Sequence, residues 1–200
     1  MKTKLLLLLF LLLAVVLAGA CKGLLKGGNN KLVVTYKPER NSAPVTKELL
    51  GKQSIMTVSE LTTTSNGQAA RIVMYSIYVS NYDADPKALQ REMPKADGQI
   101  RVEIQVVGAE GSTATTALKP GTYNASQFSD GVNKYSKALD IRVNLFDGGK
   151  MLDQSVSIVN PRKGFVKINS VDDENVTGEV DMSDDFRSVK GEFSAKIVKL

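Results

Sequence analysis

From Gln99 to Val107 apolar and polar residues alternate without a break, with Ile100, Val102, Ile104 and Val106 on one side and Arg101, Glu103 and Gln105 on the other. Extended backbone points successive side chains to opposite faces, whereas an amphipathic helix repeats its apolar residues every three to four positions. The row therefore reads as a strand with its aliphatic residues facing in and its polar residues facing out. The same period of two recurs through most of the chain after Lys31, the signal of strands.

Strand-like runs are separated by turn sequences. Leu32 to Tyr36 is β-branched and aromatic, and Pro38 to Lys52 reads as a loop. Ser54 to Thr63 and Gln68 to Ser80 flank Ser65-Asn66-Gly67, and Asn-Gly favours a tight hairpin because both residues tolerate positive φ. The run from Arg71 to Ser80 is apolar on both faces and is expected to be central and covered on both sides. Gly108 to Thr116 is polar and small, a loop with a weak strand. Lys119-Pro120-Gly121 turns into Thr122 to Gln127. Leu139, Ile141, Val143 and Leu145 form a second inward row. Met151 to Val159 and Phe165 to Ser170 follow, and Val176 to Met182 with Val189 to Val198 close the chain as a hairpin. Asp85 and Pro86 start, and Pro94 ends, one expected short helix from Pro86 to Met93. The count is about nine or ten strands, with turns at the spacing of sandwiches and barrels. The expected fold is all-β: an antiparallel β-sandwich, immunoglobulin-like or related, with a β-barrel as the alternative.

The N-terminus carries an address. Lys2 and Lys4 precede an apolar run from Leu5 to Ala18, 14 residues long. Crossing a hydrocarbon core takes roughly 20 residues, so this run fits the apolar region of an export signal. Small residues then lead to the only cysteine, as Ala18-Gly19-Ala20-Cys21. The division read from the sequence is a signal peptide over 1–20, a lipidated cysteine and flexible tether over 21–30, and a single β-domain over 31–200.

Composition removes whole classes of chemistry. The chain has no histidine and one cysteine. Ser-His-Asp and Cys-His catalysis, histidine zinc sites and a disulfide within the mature chain are excluded. No catalytic residue, no cofactor and no enzyme activity are expected. The 26 basic residues include Lys2 and Lys4 of the signal; against 21 acidic ones they leave +3 after its removal. Without a dense basic block, nucleic acid is not an expected partner.

Some residues invite a site. Asn81, Asp83 and Asp85, with Glu92, repeat the oxygen-ligand spacing of a calcium loop at positions one, three, five and twelve. Pro86 takes the sixth position, where such a loop needs glycine, and the preceding run reads as strand, so a connecting loop is the better reading and the metal candidacy is weak. Asp172-Asp173-Glu174 and Asp184-Asp185 read as two solvated turns about 20 Å apart along the intervening strand. Tyr75, Tyr78, Tyr82, Tyr123, Tyr135 and Phe128 are candidates for a pocket or partner surface, though core and rim positions suit them better. The irregular segments 81–98 and 108–120 read as interruptions that do not serve the core, where binding is concentrated.

The signal through Cys21, the segment Leu118-Lys119-Pro120-Gly121-Thr122-Tyr123 and the closing Val189-Lys190-Gly191-Glu192-Phe193-Ser194-Ala195 together resemble small bacterial β-sandwich lipoproteins. The usual cleavage motif has Leu three residues before the cysteine; here Ala18 holds that place and Leu17 precedes it. The resemblance implies palmitate and related lipid on Cys21 and attachment to the cell envelope. Lys22, rather than Asp, follows the cysteine, which points to the outer membrane where the cell has one, facing periplasm or surface. The expected role is non-enzymatic, binding an envelope protein partner or building an assembly. The alternatives are a carrier for a small apolar ligand and, less favoured, a carboxylate-dependent hydrolase.

Overall fold

A computed structural model describes residues 30–65, 68–85, 87–125, 135–153, 156–159 and 163–198. Cys21, Pro86 and Phe128 lie outside them. The fold is all-β, with eleven strands among the described residues: β1 (Lys31–Tyr36), β2 (Val45–Leu50), β3 (Gln53–Ser65), β4 (Gln68–Ser80), β5 (Ile100–Val107), β6 (Gly121–Asn124), β7 (Lys137–Asp147), β8 (Lys150–Leu152), β9 (Lys163–Val171), β10 (Asn175–Ser183) and β11 (Arg187–Ile197). The hydrogen-bonded order is β6-β9-β10-β11-β3-β4-β5-β7-β8, and β1 joins β11 to β2. Every pairing between strands is antiparallel except β11 with β3, which meet over Lys196↔Ile55 and Ile197↔Met56.

The alternating rows fill one main core. It takes Leu32 and Val34 from β1, Ile77 and Val79 from β4, Val102 and Ile104 from β5, Val143 and Leu145 from β7, and Val180 and Phe193 from the closing hairpin. Strands from both ends of the order contribute, so the sheet curls round this core. A lone bridge between Ala125, just past β6, and Ala138 of β7 links the two ends. As expected, β4 is central, and it is buried on both faces from Tyr75 to Ser80.

Of the described residues in the run Met151 to Val159 only those of Lys150–Leu152 form a strand, with Ile158 in an isolated bridge to Ile141. Leu118 of the 108–120 segment joins the main core. Four further expectations need correction. The first concerns β2, which lies inside the stretch read as a loop. Of its six residues only Leu49 is buried, and on the same face Val45 packs against the core with Lys47 between them, so the lysine breaks the inward row and leaves little periodic signal. The second concerns Leu139, which leaves the inward row. Opposite Ile104 and Val106 of β5 stand Ile141 and Ala138 of β7, so β7 carries one extra residue there. Such a bulge shifts the faces by one, placing Ala138 in the main core and Leu139 against Ile72 and Val107 on the other side.

The third is the helix expected from Pro86 to Met93, which does not form; residues 87–91 make turns. Arg91 N and Glu92 N both donate to Ala88 O, at 2.7 and 2.9 Å. A segment this short repays too little of the cost of helix nucleation. The fourth concerns the outer face of β5, which is as buried as the inner one. The segment after β4 lies over part of it: Leu89 is fully buried and Tyr82 nearly so. It therefore packs against the sheet instead of merely interrupting it.

Beneath this segment Arg101, 3% exposed, organises the contact. Its guanidinium donates from Nη1 to Leu89 O (2.8 Å) and Glu92 O (3.2 Å), and from Nη2 to Asn144 Oδ1 (2.8 Å). It also stands 5.7 Å from the Tyr78 ring centre. Two residues on, the Glu103 carboxylate accepts from Ser76, Tyr78 and Gln105. Among the described residues no buried side-chain nitrogen or oxygen lacks a partner.

Candidate functional site: an apolar cleft where β3 outruns β11

β3 and β11 run side by side for only two residue pairs. β11 stops at Ile197, while β3 continues from Met56 to Ser65. Val198 N still reaches Met56 O at 2.9 Å; past that point the two strands part. The opening is a cleft of about 500 Å³. Met56 and Val58 of β3 form one wall, and Ile197 and Val198 form another. Tyr75 of β4 lies at its base, and Val171, Asp172 and Asp173 of the β9–β10 turn stand at its rim.

Residues 113–118 form a strap across it. Thr116 N donates to Thr113 O, and Thr113 N to Thr116 Oγ1, both at 2.9 Å, which curls the strap into a turn. Two contacts pin it to the sheet: Ala114 N donates to Glu60 Oε1 at 2.6 Å, and the Tyr75 hydroxyl donates to Thr116 O at 2.7 Å. Arg71 in turn pairs with Glu60. Leu118, buried in the main core, anchors the strap's far end. A smaller space of about 220 Å³ lies on its other side, sharing Tyr75 and Leu118 and reaching Tyr123. Gly108 leaves room there, since a Cβ would come within 3.1 Å of the Tyr75 ring.

Burial raises the Tyr75 phenol above its ordinary value of 10.0, and the nearby Tyr123 adds to this. The hydroxyl therefore stays protonated as a donor to Thr116. At the rim, Asp172 Oδ1 accepts from Glu174 N (2.9 Å) and Asn175 N (2.7 Å), folding the turn. Asp173, next to it, is exposed. The hydrolase reading requires two carboxylates converging across a cleft; these two are neighbours on one turn, and Asp172 holds that turn together.

The other sequence candidates are dispersed. Tyr78 and Tyr82 belong to the Arg101 network, with Tyr82 donating to Glu92 O at 2.9 Å. Tyr123 donates to Lys119 O at 2.8 Å, and Tyr135 packs beside Leu139. Asn81 Oδ1 accepts from Ile100 N and its amide donates to Gly98 O, both at 2.8 Å. Asp85 Oδ1 accepts from Lys87 N at 2.9 Å, and Asp83 is exposed. Among the described residues no three Asp, Glu, His or Cys side chains gather as a metal site. None of those residues belongs to a helix long and apolar enough to cross a membrane.

Sequence reasoning found Tyr75 but missed the cleft. Its walls are aliphatic residues at strand ends, which look like any other core positions. The one local signal was Leu118, the single large aliphatic residue in a polar segment. The chain matches no protein-family model, no curated protein and no solved structure.

Proposed function

We propose that the chain is a lipid-anchored, non-enzymatic lipoprotein of the bacterial cell envelope that holds a small apolar molecule in the cleft between β3 and the 113–118 strap. One observation supports the binding role above all: an aliphatic cleft of about 500 Å³ under a strap pinned by two hydrogen bonds. Small-molecule sites are typically concave and mostly apolar, with a few polar groups, and of about 300–1,000 Å³. The large exposed apolar residues, Leu50, Leu61, Met93, Val159 and Phe186, sit on five separate elements and do not favour a flat partner surface. The geometry thus favours the ligand carrier over the partner-binding module that the sequence put first.

The test is to purify the protein from its own envelope, strip detergent and extract it with organic solvent. About one small apolar molecule per chain is expected, absent from a Val58→Trp variant that fills the cleft. Protein that carries nothing apolar, and takes up nothing when offered an envelope lipid extract, would sink the reading.

A second reading keeps the envelope protein partner. Among the described residues β2 pairs with β1 alone, and its Leu50 is 62% exposed. Such an edge can accept an added strand. Crosslinking from Leu50 in the native envelope would capture that partner.

A further inference from the structure

Resting on the ligand reading above, we infer that the cleft takes the tail of an unbranched hydrocarbon chain, and that the Tyr75 ring, together with Leu118, is the stop that limits how long a chain is accepted. Three observations carry this.

The first is a second apolar space that lies behind the cleft and is kept apart from it. The cleft of about 500 Å³ and the smaller space of about 220 Å³ share four lining residues: Tyr75, Thr116, Ala117 and Leu118. Three of them belong to the strap. The fourth spans the gap between sheet and strap, because its ring rises from β4 and its hydroxyl ends on Thr116 O at 2.7 Å. Beyond this crossbar stand Ala109, Pro120 and Tyr123. A chain that passed the ring would meet more apolar wall, so the ring is what ends the site.

The second is the glycine behind the ring. Gly108 lines the small space, and a Cβ there would come within 3.1 Å of Tyr75 Cε2 and 3.2 Å of Ser112 Oγ. Gly108 is not among the glycines with positive φ, so the backbone does not call for glycine at this position. What the position uses is the missing side chain, which lets the ring stand across the opening.

The third is that the deep end has its polar groups already engaged. The Tyr75 hydroxyl is spent on Thr116 O. The Thr115 and Thr116 hydroxyls turn to Thr113 Oγ1 within the strap, at 3.0 and 3.2 Å. Met56, Val58 and Ile197 present only alkyl and thioether surface. A polar group pushed to the base would give up water and find these partners taken, which is costly, whereas a methylene gains by leaving water. The inserted end of the ligand is therefore plain hydrocarbon, whatever head it carries outside.

The experiment uses the lipidated protein in phosphatidylcholine vesicles. The probes are straight-chain primary alcohols of graded length, each with a diazirine at the far end, normalised to their vesicle-bound concentrations. Labelled residues are mapped by mass spectrometry. Gly108 and Tyr123 are the reporters, since both are buried and line the small space but not the cleft. In the unsubstituted protein short probes should label Ala117 and Leu118, longer ones should be lost from the cleft, and neither reporter should be labelled at any length. Tyr75→Leu should shift the limit to longer probes and move their label onto Gly108 and Tyr123. Leu118→Ala should do the same, and serves if Tyr75→Leu fails to fold. Tyr75→Phe keeps the ring and loses only the hydroxyl, so it should restore the limit of the unsubstituted protein. Labelling of both reporters without any substitution, no shift in a folded Tyr75→Leu or Leu118→Ala variant, or a shift in Tyr75→Phe as large as in Tyr75→Leu overturns the stop and leaves the cleft reading standing. Absence of label from the cleft at every length and in every variant overturns the two together.

Discussion

The ring of Phe193 lies on the bare backbone of Gly178, the residue directly opposite it on β10. A Cβ at Gly178 would stand 2.6 Å from Cζ of that ring and 2.3 Å from Lys167 O. Phe193 fits because its cross-strand neighbour is glycine. Gly191, two residues away on its own strand, is glycine for another reason. Its φ is +141°, and a Cβ would lie 2.0 Å from Lys31 O, where β1 crosses.

Two substitutions separate these effects. Phe193→Ala should destabilise the domain by about 3–5 kcal/mol. Gly178→Ala should cost about 1–3 kcal/mol through overpacking. Because the two residues touch, their double variant should fall short of the sum by at least about 0.5 kcal/mol. Denaturant melts measure all three; strict additivity would mean that ring and backbone do not press on one another.

Asp184 and Asp185 should behave differently, although both carry charge at the β10–β11 turn. Asp184 Oδ1 accepts from Phe186 N (2.8 Å) and Arg187 N (2.7 Å). Asp185 is exposed. Asp184→Ala should cost about 1–2 kcal/mol, and Asp185→Ala no more than about 0.5 kcal/mol. The sequence pattern reads this pair as a simple solvated turn; its first member is what folds it.

Arg101 should govern the segment between β4 and β5. Arg101→Leu leaves Leu89 O and Asn144 Oδ1 without the donor they have here, while Glu92 O keeps the Tyr82 hydroxyl. Each acceptor left buried and unpaired costs about 1–3 kcal/mol. Hydrogen exchange should rise across residues 81–98 before it rises in β9 and β10. Uniform protection in the variant would show that Leu89 and Tyr82 hold the segment unaided.

Alkali should unfold the protein through its phenols. Tyr75, Tyr78, Tyr82, Tyr123 and Tyr36 all have pKa values raised above 10.0, chiefly by burial. The protonated form is the one the fold favours. Its contribution is therefore complete below about pH 10 and is lost as pH climbs through the raised values. Phenolate absorbance and loss of β circular dichroism should appear together above pH 10. With no histidine in the chain, no side-chain transition tied to imidazole is expected between pH 5 and 8.

Cys21 tests the address. The unsubstituted protein should sediment with membranes and take up labelled palmitate, and Cys21→Ser should lose both. Retention of label by the variant would place the lipid elsewhere.

How much of this was legible follows from what periodicity can express. The inward row of β5 was plain because alternation encodes a face. The burial of Arg101, Glu103 and Gln105 was not, since a polar row reads as solvated until something is known to lie over it. Leu139 was misplaced because a bulge breaks the count of two with no residue type to announce it. β2 was missed because Lys47 stands between Val45 and Leu49 on its inward side. The cleft was illegible for a further reason: it exists because β3 extends past the end of β11, a mismatch between strands about 140 residues apart, the separation of the bonded pair Ser54 and Ser194.

β11 pairs with β10 along one side and with β1 and then β3 along the other. Its Ser194 also holds Asn30, 164 residues earlier in the chain. Of these eleven strands a ribosome makes β11 after all the others. Until its final turn of sequence emerges, β1 with β2 and β3 with β4 are hairpins that lack the strand joining them. A core that cannot close before β11 arrives keeps the growing chain open, the condition in which a polypeptide can still be threaded through a narrow channel.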